Sequence, residues 1–299
     1  MRQTASQIIA PATCVTITVN GNLAHVAAPN AGLVAPVLER QGHQFIAGGP
    51  AGVEHRKITT RHYAHDQRDR LFFFAGLVPR VTQALEAKGL RVVVDDQTHC
   101  TWLVDAERVA KEFTDLTDEE QRLVAAICGS PHGQLVTRNT EETARAIALM
   151  LDIFADLRVL VVTKNKIRAG LLHRLIAEHT DRRIALSPQL PWAMGIAPWA
   201  TVVTGQLFGS CDLEPWNLII FADVDAVWAK RTAEQLETRR DFLCYCFVSF
   251  NRWLKDDDQF RLEELVGPEI FRQAQTGPQP AEVDVVMIQS PPAPKGIPA

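Results

Sequence analysis

Between residues about 113 and 275 one pattern recurs: a short apolar, often β-branched run, then a stretch with helical spacing. The apolar runs are Gln134-Leu135-Val136, Val159 to Val162, Ile184-Ala185-Leu186, Thr201-Val202-Val203, Leu218 to Phe221 and Tyr245 to Val248. Helical stretches fall at roughly 140–155, 166–179 and 231–240, and Thr117-Asp118-Glu119-Glu120 is a capping box opening a helix through Ile127. A strand with one wet face alternates polar and apolar residues; these runs do not alternate. Continuous apolar strands separated by helices predict a parallel sheet covered on both faces, a doubly wound α/β domain.

Residues from about 13 to 105 predict a smaller α+β unit. Cys14 to Val19 alternates like a strand, Asn20-Gly21 is a hairpin signal, and Leu23 to Val26 returns. Ala31 to Arg40 is expected to hold a short helix with Pro36 near its first turn. Gly48 to Gly52 reads as a flexible loop, Leu71 to Phe74 as a buried strand, Pro79 to Lys88 as a helix closed by Gly89, and Leu90 to Asp95 as the last strand. Residues 1–12 form an N-terminal tail and 276–299 a Pro-rich, extended tail. No internal repeat is read.

The chain has 299 residues, 46% of them hydrophobic and 22% charged, which is ample apolar material for two cores. A net charge of −4 gives no global basic footprint, so any nucleic-acid site must be a local patch. The six cysteines are scattered without a CxxC pair, and Cys244-x-Cys246 reads as two buried thiols in a strand. The N-terminus lacks the apolar core of a signal peptide, and no apolar run approaches the ~20 residues of a membrane span. A cytoplasmic protein without a membrane partner is expected.

The second unit resembles the first RecA-like lobe of superfamily 2 helicases, in the XPB-like and UvsW-like branch. The likeness rests on order and spacing. Gln121 stands like the glutamine before the phosphate loop, and Thr137-Arg138-Asn139-Thr140-Glu141-Glu142-Thr143 occupies the loop itself. Arg158 to Lys164 and Thr201 to Gly205 look like the strand-turn segments that meet the nucleic-acid backbone. Trp216 to Asp225 sits where the DEAH box follows its strand, Phe247 to Phe250 where the coupling motif lies, and Leu262 to Ile270 looks like the closing segment. The first unit is similar to the small DNA-recognition module of the same group, through Asp69 to Phe72, Gly76 to Arg80 and Gly89 to Val92.

The departures carry the functional expectation. A phosphate loop needs small residues that let backbone N–H groups reach the phosphates, and a lysine. Glu141 and Glu142 stand in place of Gly-Lys, and only Thr143 survives as the would-be magnesium-contacting hydroxyl. In the DEAH position Ala222 replaces the first carboxylate, Asp223 the second, and Asp225 the histidine. Val248 and Phe250 alter the coupling motif, and no second lobe fits in the Pro-rich tail. ATP and magnesium are therefore disfavoured as cofactors, and no catalytic residue or metal ligand is assigned. Gln121, Glu141, Glu142, Thr143, Asp223 and Asp225 make a degenerate nucleotide site.

The expected function is a non-catalytic, helicase-like protein holding duplex or branched DNA, or a scaffold with a protein partner on the exposed face of the lobe. The candidate DNA contacts are Lys57, Arg61, Arg68, Arg70, Lys164, Lys166 and Thr204. His55, Arg56, His62 and His65 with interleaved Tyr63 complete the one dense cationic stretch; its alternative is a solvated loop, and its histidine spacing lacks a second pair for zinc. Trp192 and Trp199 share a Pro-bearing loop that either stacks on bases or packs on its own domain, and Asp256-Asp257-Asp258 reads as a solvated turn before a helix. Two alternatives stand beside this reading: an ATPase subunit completed in trans by a second lobe, and a pure protein-interaction module.

Overall fold

The computed structural model describes residues 14–48, 52–98, 100–186, 200–228, 231–237 and 241–274. Both tails, His99, the side chains of His55 and Arg56, and the loop with Trp192 and Trp199 lie outside the described residues.

The first unit runs β1 (Cys14–Asn20), β2 (Leu23–Val26), α1 (Ala28–Val34), β3 (Glu39–Gly48), β4 (Gly52–Arg61), β5 (Ala64–His65), β6 (Leu71–Phe74), α2 (Val78–Glu86) and β7 (Arg91–Asp96). Five strands form one sheet in the order β5-β6-β2-β1-β7, and β3 pairs with β4 in a separate two-stranded sheet. Gly21, at φ 61°, closes the β1–β2 hairpin, a backbone position that favours glycine. Val15, Ile17 and Val19 of β1 are buried, as are Leu71, Phe73, Leu77, Val81 and Leu85.

The short helix lies earlier than the sequence indicates. It spans Ala28–Val34 with a proline in its first turn, and Pro36 opens a 3-10 turn, Ala35–Val37. Proline is tolerated where no helical N–H is needed, so each proline begins a turn, and Glu39 and Arg40 fall into β3 instead. The β3–β4 hairpin, ten residues per strand, is not evident from sequence because its strands, such as Glu39 to Gln44, carry little apolar alternation.

The second unit begins with α3 (Ala106–Glu112) and α4 (Asp118–Gly129), then alternates β8 (His132–Thr137), α5 (Thr140–Ile153), β9 (Val159–Thr163), α6 (Lys166–Ala177), β10 (Ile184–Leu186) and β11 (Ala200–Thr204). It continues α7 (Gly205–Phe208), β12 (Leu218–Phe221), α8 (Val224–Val227), α9 (Thr232–Glu237), β13 (Leu243–Ser249), α10 (Asp256–Val266) and β14 (Glu269–Arg272). The seven strands are all parallel, in the order β10-β11-β9-β12-β13-β8-β14. All six expected strands form, and the sheet is the doubly wound RecA-like α/β architecture.

Two-sided burial explains the apolar runs. Leu218 and Ile220 join a core with Ile147, Met150, Leu172 and Ile176 of α5 and α6. Ile219 and Phe221 join the opposite core, with Phe208, Val227, Leu262 and Leu265. Cys244 and Cys246, both buried, face this second core. Among the described residues no helix is long and apolar enough to cross a membrane.

The two units are joined through α10. Asp256-Asp257-Asp258 is its first turn rather than a turn before it, where carboxylates complement the helix dipole. Phe260 of α10 is buried in the core of the first unit. Arg40 and Arg80 lie over its ring, with guanidinium carbons 4.3 and 5.2 Å from the centroid. Arg80 pairs with Glu263 at 2.8 Å, Arg40 with Asp256 at 2.9 Å, and His62 meets Glu264 at 3.0 Å. The backbone approach is close enough that a Cβ on Gly76 would lie 1.9 Å from the Glu263 carbonyl oxygen.

Phe260→Ala should therefore destabilise the chain by about 3–5 kcal/mol in urea unfolding, because a ring shared by two units leaves a cavity in the core. A second expectation concerns acid. Burial pushes the His132 imidazole down to about 4 from 6.5, and its Nε2 is enclosed without a hydrogen-bond partner. The unfolded chain takes up this proton below about pH 6.5 and the folded chain does so only near 4. Stability is thus complete above 6.5 and falls as pH drops through that window, by on the order of 3 kcal/mol in all. His132→Gln should flatten this part of the stability curve relative to the parent protein.

Candidate functional site

In a parallel sheet all carboxyl ends point to one edge, and ligand sites in open α/β sheets lie outside that edge. Here β8, β9, β12 and β13 end around a cleft of about 260 Å³ lined by Arg138, Asn139, Thr140, Thr143, Thr163, Arg168, Ala222, Asp223 and Ser249. The structure thereby brings the loop, the DEAH position and the coupling position into one place.

Three of the helices that leave this edge, α5, α6 and α8, are each capped by a side chain at their start. Asn139 accepts from the N–H of Glu142, Asn165 from that of Arg168, and Asp223 from that of Ala226. The first two follow a shared local pattern, Thr-Arg-Asn from the last residue of β8 and Thr-Lys-Asn from the last residue of β9. This short repetition, which overlaps the phosphate-loop segment and the Arg158 to Lys164 segment, is the sequence signal for the caps. An Asn or Asp at that point satisfies orphan amide donors at the helix start.

At the β8–α5 turn the chain supplies its own anions. Glu142 accepts from Arg138 at 3.3 Å, and Arg138 also meets Glu119 of α4 at 3.5 Å. Gln273, beyond β14 and buried, accepts from the Arg138 N–H at 3.0 Å and has its amide nitrogen 3.1 Å from both Glu119 and Glu142. Glu119 further accepts from the Ala274 N–H at 2.7 Å. The Thr143 hydroxyl lies 2.7 Å from that of Thr137 and donates to the Asn139 carbonyl at 3.0 Å, so its bonding is internal. Glu141 is exposed. Gln121 is exposed, donates to the Leu116 carbonyl at 3.2 Å and does not line the cleft; Glu119, two residues earlier, reaches the loop instead. Residues two apart on a helix point in different directions, which explains why one reaches the loop and the other does not.

The carboxylates of the DEAH position are also engaged. Asp223 accepts from the Ala226 N–H at 2.9 Å and the Lys164 N–H at 3.2 Å, and burial pushes its carboxyl above the usual range. Asp225 holds Lys164 Nζ at 2.8 Å and Arg252 at 2.7 Å; the Lys164 bond leads the causes that hold its carboxyl below that range. Neither carboxylate is simply solvated at a strand's end. Arg168, which no sequence motif singles out, reaches from α6 to donate to the Thr140 hydroxyl at 2.9 Å.

The candidate DNA contacts separate into two groups. Lys57 on β4 and Arg68 in the turn before β6 are exposed. Arg61, on β4 and also exposed, lies 3.5 Å from Glu39. Arg70 belongs to the fold: Asp66 binds its Nε at 2.8 Å and its Nη2 at 2.7 Å, and its guanidinium sits over Phe72. His62 likewise belongs to the junction with α10, its ring edge-on to Phe260. At the lobe edge Lys166 is exposed in the first turn of α6, Lys164 is tied to Asp225, and Thr204 is buried at the end of β11.

If Gln273 closes the turn, Gln273→Ala should cost about 1–3 kcal/mol in chemical denaturation, since it strips hydrogen bonds from buried and charged groups. Gln273→Glu, nearly isosteric, should cost more by bringing a third carboxylate to Glu119 and Glu142.

No protein-family profile matches the sequence, and no curated protein matches it. Solved structures do. A UvsW helicase from bacteriophage T4 superposes with a TM-score of 0.59 at 10% identity, covering 87% of this chain and 100% of that one. A second structure of T4 UvsW gives 0.58 at 10% identity over 87% of this chain, which spans 57% of that longer chain. The chain thus has a helicase-like fold: a RecA-like sheet preceded by a small mixed-sheet unit.

Proposed function

We propose that this protein is a helicase-derived nucleic-acid-binding or scaffold protein that does not hydrolyse ATP. One observation carries the reading: the turn between β8 and α5 is closed from within. A nucleotide phosphate needs open backbone donors and a free cation there. Instead Asn139 caps the helix, Glu119 and Glu142 occupy the anionic positions, and Arg138 is bound to them. A magnesium nucleotide would need free oxygen ligands as well, and the oxygens of Asp223 and Asp225 are already engaged by backbone amides and cations. On this reading the site does not fit a magnesium nucleotide.

Cations exposed on the first unit, Lys57, Arg61 and Arg68, with Lys166 at the lobe edge, supply the complementary part of the reading. They suit sequence-independent contact with phosphates of duplex or branched DNA. The open carboxyl edge of the lobe would serve a protein partner.

Nucleotide and DNA binding measured side by side on the purified chain test the reading. Expected are DNA binding that weakens with salt and no saturable ATP binding. Replacing Lys57, Arg61, Arg68 and Lys166 by alanine should lower the salt slope by about 1 for each phosphate no longer neutralised. DNA binding untouched by that replacement would sink the assigned surface. Saturable ATP binding abolished by Asp223→Ala would favour an ATPase subunit completed in trans, and binding of neither ligand would favour a pure protein-interaction module.

A further inference from the structure

The sheet of the first unit ends at β7, and that edge is bare among the described residues. Its other edge, β5, is only two residues long, a length that discourages further pairing. β7 has six residues, and Val93 and Val94 are 40% and 43% exposed on opposite faces. An exposed, regular edge with an apolar centre, Val92 to Val94, is a template for another strand.

The register fixes what faces outward. Gln97 donates its N–H to the Val19 carbonyl at 2.9 Å, and β7 runs parallel to β1. Backbone polar groups alternate in direction along a strand, so Arg91, Val93 and Asp95 direct theirs toward β1. Val92, Val94 and Asp96 direct theirs to the open side. Side chains alternate too: Val92 and Val94 pair with the buried Val15 and Ile17, on the core face. Arg91, Val93 and Asp95 share the other face.

We propose that β7 is a self-complementary edge through which two copies of this chain pair, antiparallel, about a two-fold axis at Val93. In that register Val92 and Val94 exchange backbone hydrogen bonds with Val94 and Val92 of the second copy. On the outer face Val93 meets its own counterpart, and Arg91 stands directly opposite Asp95 on both sides of the axis. Opposite charges directly across an antiparallel ladder stabilise it and like charges oppose it. A positive residue, an apolar one and a negative one at alternate positions read as their own complement when reversed. Such an isologous contact closes after two copies and leaves no further edge of comparable length in that five-stranded sheet, whose other edge is the two-residue β5. One six-residue edge buries less than the roughly 1,200 Å² of a standard stable interface, so the association is weak and rises with concentration.

Sedimentation of the full chain over a wide concentration range tests this. The parent protein should shift from monomer toward dimer. Arg91→Asp and Asp95→Arg alone should each weaken association by about tenfold, as two attractive pairs become repulsive. The double variant Arg91→Asp, Asp95→Arg restores opposite charges across the axis and should restore the dimer. Both side chains are exposed, so the fold is kept, and unchanged circular dichroism verifies this. A parent protein that stays monomeric at every concentration, whether the edge is bare or another segment of the chain covers it, overturns the proposal. So does a dimer indifferent to either single variant, or a double variant that fails to recover it.

Discussion

Burial of the seven-stranded sheet on both faces is the constraint on which the remainder depends. Because β8, β9, β11, β12 and β13 each contribute side chains to two cores, helices must cover both sides and each crossover must return over a face. All strands then run in one direction and all their carboxyl ends meet at one edge. The cleft lined by Thr143, Arg168, Asp223 and Ser249 is a consequence of that geometry before it is a consequence of any ligand.

At that edge the fold has to satisfy several helix starts in close proximity. Asn139, Asn165 and Asp223 do so with side chains of the chain itself, and Glu142 with Glu119 adds negative charge where the α5 dipole favours it. The same electrostatic demand that would draw a phosphate is thereby met internally. Arg138 and Gln273 then hold the carboxylates in place, which ties the end of the chain's last described strand to the turn after its first lobe strand.

Much of this was legible. The six apolar runs, the capping box at Thr117 and the Asn20-Gly21 hairpin each rest on local rules, and each forms. So were the unusual glutamates in the loop. The β3–β4 hairpin was not, since the sequence of its strands, such as Glu39 to Gln44, carries little apolar alternation to print a period. Nor was α10 as a shared element: Phe260 in its sequence reads only as one apolar residue among charges, and its burial in the other unit is a long-range fact. Gln121 and Glu119 illustrate the finer limit. Both lie in one helical turn, and which of them meets the loop depends on the rotation of α4 against β14.

Sequence alone determined the layer architecture, because hydrophobic pattern dictates which surfaces must be buried, and it determined the charge of the loop, because residue type is charge. Tertiary structure decided which charges remain available. Arg70, Lys164 and His62 looked equal to Lys57 and Lys166 in the sequence, yet the fold places Asp66, Asp225 and Glu264 against them. The physical reason is range: burial acts through local periodicity, whereas ion pairing requires two groups within a few ångströms, and only folding brings residues such as His62 and Glu264 that close.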